Sequence, residues 1–321
     1  MLKSLGGGLP HALVDLPTLD ARSVGETAER AVLSLPLPGD RAFEALYGYL
    51  VVDEPAIHLM PLHFLPRSYC GVVEHGVLHS LGVAAKLEYT RSRWIDEIVD
   101  SGYTGSLLAV HRLHGALVDL IFAHYSKVLH GHAAATFFQT LAGLYAHHGV
   151  SVAVDGSRPR GTPRSLTVEE YSAQSRARNG SFRACVDAVL LLTGASAETL
   201  RRATESWQLW VLGAQFYDDA LDLEEDFESE DLTWTVARTL ADLVKYETGD
   251  RRPDLDAFYE TALVEGALTD TLAQAESFFR SAERLAEDEF PSWAVLQRAC
   301  IKQTSELRED LQGLATRVAR G

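Results

Sequence analysis

Residues 215–226 read Gln-Phe-Tyr-Asp-Asp-Ala-Leu-Asp-Leu-Glu-Glu-Asp and hold the densest group of potential ligands in the chain. Asp218, Asp222 and Asp226 recur every four residues, so on a helix they line one face, with Asp219 beside them. Carboxylates at that spacing repel by a few tenths of a kcal/mol per pair, and a divalent cation seated on them reverses the sign. The preceding stretch, Trp207 to Tyr217, is largely apolar, so the acidic turn ends a helix that is otherwise suited to burial. A second acidic turn, Trp94-Ile-Asp96-Glu97-Ile-Val-Asp100, closes another long apolar, alanine-rich segment, and Asp96 and Asp100 share its face. Either turn alone is common in helices. Two of them facing each other could hold a cluster of Mg²⁺ ions, which take oxygen ligands and share them with substrate phosphates.

These residues resemble the trans-isoprenyl diphosphate synthase and class I terpene synthase superfamily. Gln215 to Asp226 fits that family's second motif, Q-x-x-D-D-x-x-D-x-x-x-D, at every defined position, and Asp96, Glu97 and Asp100 fall where the first, D-D-x-x-D, belongs. Between them the family has a tyrosine and, seven residues on, a lysine that grips diphosphate; here Tyr171 is followed by Arg178-Asn179-Gly180. The resemblance implies an all-α bundle around a prenyl cavity, an allylic prenyl diphosphate substrate, three Mg²⁺ ions and a homodimer. It assigns the metal to Asp96, Glu97, Asp100, Asp218, Asp219 and Asp222, with Arg178 and Gln215 on the diphosphate. Chain-elongating members also carry a Gly-Gly-Lys-Arg segment before the first motif and an Arg-Arg pair after it, which hold isopentenyl diphosphate. Here Ser-Gly-Tyr-Thr-Gly-Ser follows Asp100, and between Arg41 and Asp96 the upstream region offers only Arg67, Lys86, Arg91 and Arg93 as positive charge. That pattern is similar to terpene cyclases built on the prenyl synthase scaffold, which makes a cyclase the first reading. A prenyltransferase is the second, and a non-catalytic partner subunit on the same scaffold the third.

An allylic cation needs dry, apolar or aromatic walls, because a π face stabilises it without capturing it. Trp207, Val211 and Ala214 precede Asp218 on its own face, and Ala85, Tyr89 and Ser92 precede Asp96, so both sets are candidates for that lining, with core packing as the equal alternative.

The elements that must position these residues follow from proline and cap placement. Residues 67–158, 164–252 and 254–290 contain no proline and are rich in Ala, Leu, Glu and Arg. They predict helices at 18–34, 39–52, 68–100, 104–126, 131–148, 167–193, 196–227, 231–247, 254–287 and 292–319. Thr167 to Glu170 has capping-box spacing, and Gly194-Ala-Ser196 reads as a stop followed by a new N-cap. Residues 149–166 read as a loop, with 150–156 as the one short strand candidate, and residues 1–17 as a flexible lead-in to a single domain, 1–321.

The chain has 321 residues, 46% hydrophobic and 23% charged, enough for a sizeable core. A net charge of −16 without a Lys/Arg run argues against a nucleic-acid partner. Three widely separated cysteines, Cys70, Cys185 and Cys300, argue against a disulfide framework and fit a reducing cytoplasm. No secretory signal or membrane-spanning run is evident. The pairs His111/His114, His130/His132 and His147/His148 lack a metalloprotease pattern and read as surface or core histidines.

Overall fold

A computed structural model describes residues 20–35, 41–51, 59–70, 72–100, 105–156, 166–243 and 254–320, and among these residues every regular element is helical. In chain order they are α1 (Ala21–Leu33), α2 (Arg41–Leu50), α3 (Met60–His63), α4 (His75–Asp100), α5 (Leu107–Ser126), α6 (Gly131–Gly156) and α7 (Val168–Arg178). There follow α8 (Ala184–Leu192), α9 (Ala197–Leu221), α10 (Leu223–Glu228), α11 (Trp234–Leu243), α12 (Leu255–Val264), α13 (Ala267–Ala286) and α14 (Pro291–Val318). Short 3₁₀ turns occupy Arg67–Tyr69 and Gly180–Arg183. The all-α expectation holds.

Local chemistry sets the boundaries. Thr167 Oγ1 accepts from Glu170 N while the Glu170 carboxylate accepts from Thr167 N, which completes the capping box at the start of α7. Gly194 takes φ 63° and stops α8, and Ser196 caps α9 by accepting from Thr199 N. Three expected helices divide. Residues 167–193 break at Arg178–Gly180, where the chain tightens into the 3₁₀ turn. Residues 196–227 break at Asp222 (φ −94°, ψ 11°), which ends α9 and begins α10. Residues 254–287 break at Gly266, whose φ of 87° lies in the left-handed region that glycine alone enters without strain. One correction runs the other way. The expected loop and strand candidate at 149–156 is the last part of α6; residues 157–165 and the lead-in at 1–17 lie outside the described residues.

Two hydrophobic clusters build the bundle. One gathers α1, α2, α4, α5 and α6 around Trp94, Tyr125 and Phe137. The other gathers α9 and α11–α14 around Trp207, Phe216, Phe279 and Trp293, and takes in Met60 and Phe64. Helix α8 joins them: Ala184, Ala188 and Val189 belong to the first, while Cys185, Val186 and Leu190 belong to the second. Its sequence, Ala-Cys-Val-Asp-Ala-Val-Leu-Leu-Leu, is apolar almost all round because it is covered on both sides. The 3₁₀ turn and α7, which precede it, are thereby fixed between the two acidic helices.

Candidate active site

Asp96 lies in the last two turns of α4 and is 8% exposed. Its Oδ2 sits 3.6 Å from Nε of Arg178, while its Oδ1 is buried without a hydrogen-bond partner. Arg178 is the final residue of α7, so the guanidinium crosses from one helix end to another. Glu97, one position on, turns away: it is exposed and accepts from the Tyr49 hydroxyl at 3.0 Å. Asp100 is the last residue of α4, and its side chain lies outside the described residues.

On the opposite side, Asp219 is 2% exposed and accepts at one oxygen from the Tyr171 hydroxyl at 2.8 Å and from the Gln215 amide at 3.0 Å. Its other oxygen is buried and unpartnered, as is Oδ2 of Asp226. Burial pushes the Asp219 carboxyl up to about 7, against the pull of its Gln215 and Tyr171 bonds, and the charge of Asp218 adds to the rise. Burial likewise raises Asp226 to about 8, with the negative charge of Asp219 as the next cause. Asp218 is exposed and Asp222 half-buried at the break between α9 and α10.

The two acidic ends are therefore linked through α7, which carries Tyr171 against Asp219 at one turn and Arg178 against Asp96 two turns later. Tyr171 itself is 6% exposed, edge-on to Phe216, and its hydroxyl is held far from ionisation, first by burial and next by Asp219. Sequence reasoning placed Tyr171 by the resemblance alone; its bond to Asp219 depends on how α7 packs on α9. Among the described residues no three carboxylate, histidine or cysteine side chains converge as a ready ligand set. What the site does show is buried carboxylate oxygens with nothing to accept from, on both acidic helices. Hard cations satisfy such oxygens, so the donor set fits Mg²⁺.

Several expected lining residues have other duties. Ser92 is fully buried, receives a hydrogen bond from Arg91 and lies 3.0 Å from the Ser181 hydroxyl. Tyr89 is half-buried against Phe182, with ring centroids 5.8 Å apart. Gln215 is spent on Asp219. Trp207 and Val211 lie in the larger hydrophobic cluster, and Ala214 is half-buried beside them. Of the histidines, His111 is exposed, His114 lies 3.5 Å from Arg91, and His148 is 1% exposed. The three cysteines are free.

The fold is that of the trans-isoprenyl diphosphate synthase superfamily. The chain superposes on a geranylgeranyl pyrophosphate synthetase from the archaeon Geoglobus acetivorans with a TM-score of 0.70 and 15% identity, covering 90% of this chain and 96% of that one. A geranylgeranyl pyrophosphate synthase from Corynebacterium glutamicum, complexed with isoprenyl diphosphate and magnesium, gives 0.67 and 13%, covering 90% and 100%. A polyprenyl synthase from Caulobacter crescentus, complexed with calcium and isoprenyl diphosphate, gives 0.65 and 16%, covering 92% and 98%. No family model and no curated protein matches the chain by sequence.

Proposed function

We propose that this chain is an isoprenoid synthase that binds the diphosphate of an allylic prenyl substrate at the mouth formed by α4, α7 and α9 and promotes loss of that diphosphate. The observation that carries the reading is the bridge of α7 between the acidic ends, Asp96–Arg178 on one side and Tyr171–Asp219 on the other. Mg²⁺ bound by Asp96, Asp218 and their neighbours would supply Lewis-acid neutralisation of the leaving oxygens. Arg178 offers two parallel donors to the same anion. Tyr171 and Gln215 both bond one oxygen of Asp219 and so fix the carboxylate, leaving its other, buried oxygen unpartnered for a cation.

The structural neighbours are named as prenyl diphosphate synthases, and this supports transfer of the allylic group to an acceptor as the reaction, ahead of the cyclase that the missing basic segments suggest. The cyclase stays as the second reading because of a specific observation. Lys86 and Arg91, two of the four upstream cations, are fully buried. Lys86 donates to the Tyr49 carbonyl, and Arg91 is held by Glu88, Ser92 and the Tyr145 ring, so neither is free to hold a second diphosphate. Incubating the protein with Mg²⁺ and allylic prenyl diphosphates of graded length, with and without labelled isopentenyl diphosphate, decides between them. A longer labelled diphosphate establishes transfer. A hydrocarbon or alcohol from a single substrate establishes cyclisation, and no product together with no Mg²⁺-dependent binding establishes the non-catalytic subunit.

The assembly we propose is a cytoplasmic homodimer. α5 is the one helix among the described residues long and apolar enough to cross a membrane, yet only 28% of its apolar window is buried within the chain. Pairing of two copies along this face would cover it, and sedimentation equilibrium at the mass of two chains tests that.

A further inference from the structure

Arg178 can act on both Asp96 and a diphosphate only if the end of α7 is held in register, and a helix end is where backbone hydrogen bonding runs out. Two side chains from neighbouring helices act on this end. His148, in α6, places Nδ1 2.6 Å from the Arg178 carbonyl oxygen, and since a carbonyl can only accept, the Nδ1 proton is donated to it. Ser92, one turn before Asp96 on α4, meets the Ser181 hydroxyl at 3.0 Å, three residues past Arg178. All three tethering groups are buried: His148 is 1% exposed, and Ser92 and Ser181 are 0%. The Nε2 of His148 is buried with no partner, although Arg91, Asp96 and Arg178 all lie close enough to act on its charge. A core could fill this position more cheaply with an apolar ring, so the imidazole is explained by the one bond it makes.

We propose that His148 is a positioning residue for Arg178: its Nδ1–H fixes the last carbonyl of α7 and so aims the guanidinium at Asp96 and at the diphosphate. The inference rests on the functional reading above and goes beyond it, because it assigns a role to a residue on α6 that lies outside both acidic motifs. The Ser92–Ser181 contact sets the distance between the Asp96 helix and the same segment, so His148 supplies the remaining constraint.

The test is Mg²⁺-dependent binding of inorganic diphosphate by titration calorimetry, with kcat/KM and thermal melting alongside. His148→Ala should weaken diphosphate binding about tenfold to a hundredfold, the range expected when a binding group is displaced by about an ångström. His148→Asn places its amide N–H where Nδ1 stands and should recover binding to within about threefold, whereas His148→Gln places it one atom farther and should not. Because His148 acts through Arg178, adding His148→Ala to Arg178→Ala should cause no further loss. Should the alanine variant fail to fold, the Asn and Gln variants decide the matter. Wild-type affinity in His148→Ala, equal behaviour of Asn and Gln, or additive losses in the double variant would each overturn the proposal. If the wild type itself binds no diphosphate with Mg²⁺, the functional reading fails first and takes the proposal with it.

Discussion

Replacing Arg178 with alanine separates two effects that the structure ties to one guanidinium. At 3.6 Å the pair with Asp96 has a gross attraction of about 5 kcal/mol at an effective dielectric of about 20. Arg178 is 34% exposed, so screening and desolvation bring its net worth down to about 1 kcal/mol. Without diphosphate, that interaction competes with a cation for Asp96. Arg178→Ala should therefore tighten binding of Mg²⁺ alone, by about fivefold for about 1 kcal/mol. With diphosphate present the sign reverses: loss of two parallel donors should lower kcat/KM by one to three orders of magnitude, about 1.4 to 4 kcal/mol. Arg178→Lys should fall between, since it keeps the charge but not the fork. Calorimetry of Mg²⁺ with and without diphosphate, followed by steady-state kinetics on the substrate found in the product screen, reads both effects. An unchanged kcat/KM in Arg178→Ala would refute the assignment, and unchanged affinity for Mg²⁺ alone would refute the competition for Asp96.

Asp96→Ala and Asp218→Ala should each abolish turnover while leaving the helical circular dichroism intact, since each removes a ligand but also relieves carboxylate repulsion; substantial activity in both purified variants would remove the metal assignment. In the metal-free protein the folded pKa of Asp226, about 8, lies above its unfolded value. Its contribution to stability is thus complete below about pH 4 and is lost as pH rises through 8. Asp226→Asn should accordingly melt at the wild-type temperature near pH 4 and increasingly above it towards pH 8.5, and a difference that does not grow with pH would contradict the burial of this carboxyl. Gly213 of α9 faces Phe279 of α13 so closely that a Cβ there would lie 2.6 Å from two ring carbons. Overpacking costs about 1 to 3 kcal/mol, and the better helix propensity of alanine returns about 1; Gly213→Ala should lower the melting temperature by a few degrees, and an unchanged or higher midpoint would show that Phe279 can yield.

Proline-free, alanine- and leucine-rich stretches determined that the chain is helical, because helix propensity and capping are local: Thr167 with Glu170, and Gly194 with Ser196, cap as their spacing implies. The four-residue spacing of Asp218, Asp222 and Asp226 was equally legible, as was the likeness of Gln215–Asp226 and Asp96–Asp100 to paired metal motifs. Where helices break was less so. Asn179-Gly180 is a local turn signal at the tightening after Arg178, but the break at Asp222 has no such mark, and the glycine-bearing stretch at 149–156 stays helical as the end of α6. Tertiary packing alone decided the duties of individual side chains. Which neighbour α4 and α9 present to each carboxylate depends on how α6, α7 and α8 dock, so Glu97 turned to Tyr49, Gln215 and Tyr171 closed on Asp219, and Ser92 met Ser181. Arg91 and Lys86 are among the few cations upstream of the first acidic turn, and packing encloses both, because α4 is covered on several sides and a long side chain on it must find partners within the core. His148 shows the limit most clearly: nothing in His147-His148-Gly149 points to Arg178, thirty residues away, until α6 and α7 are packed together and the imidazole meets the carbonyl at the end of α7.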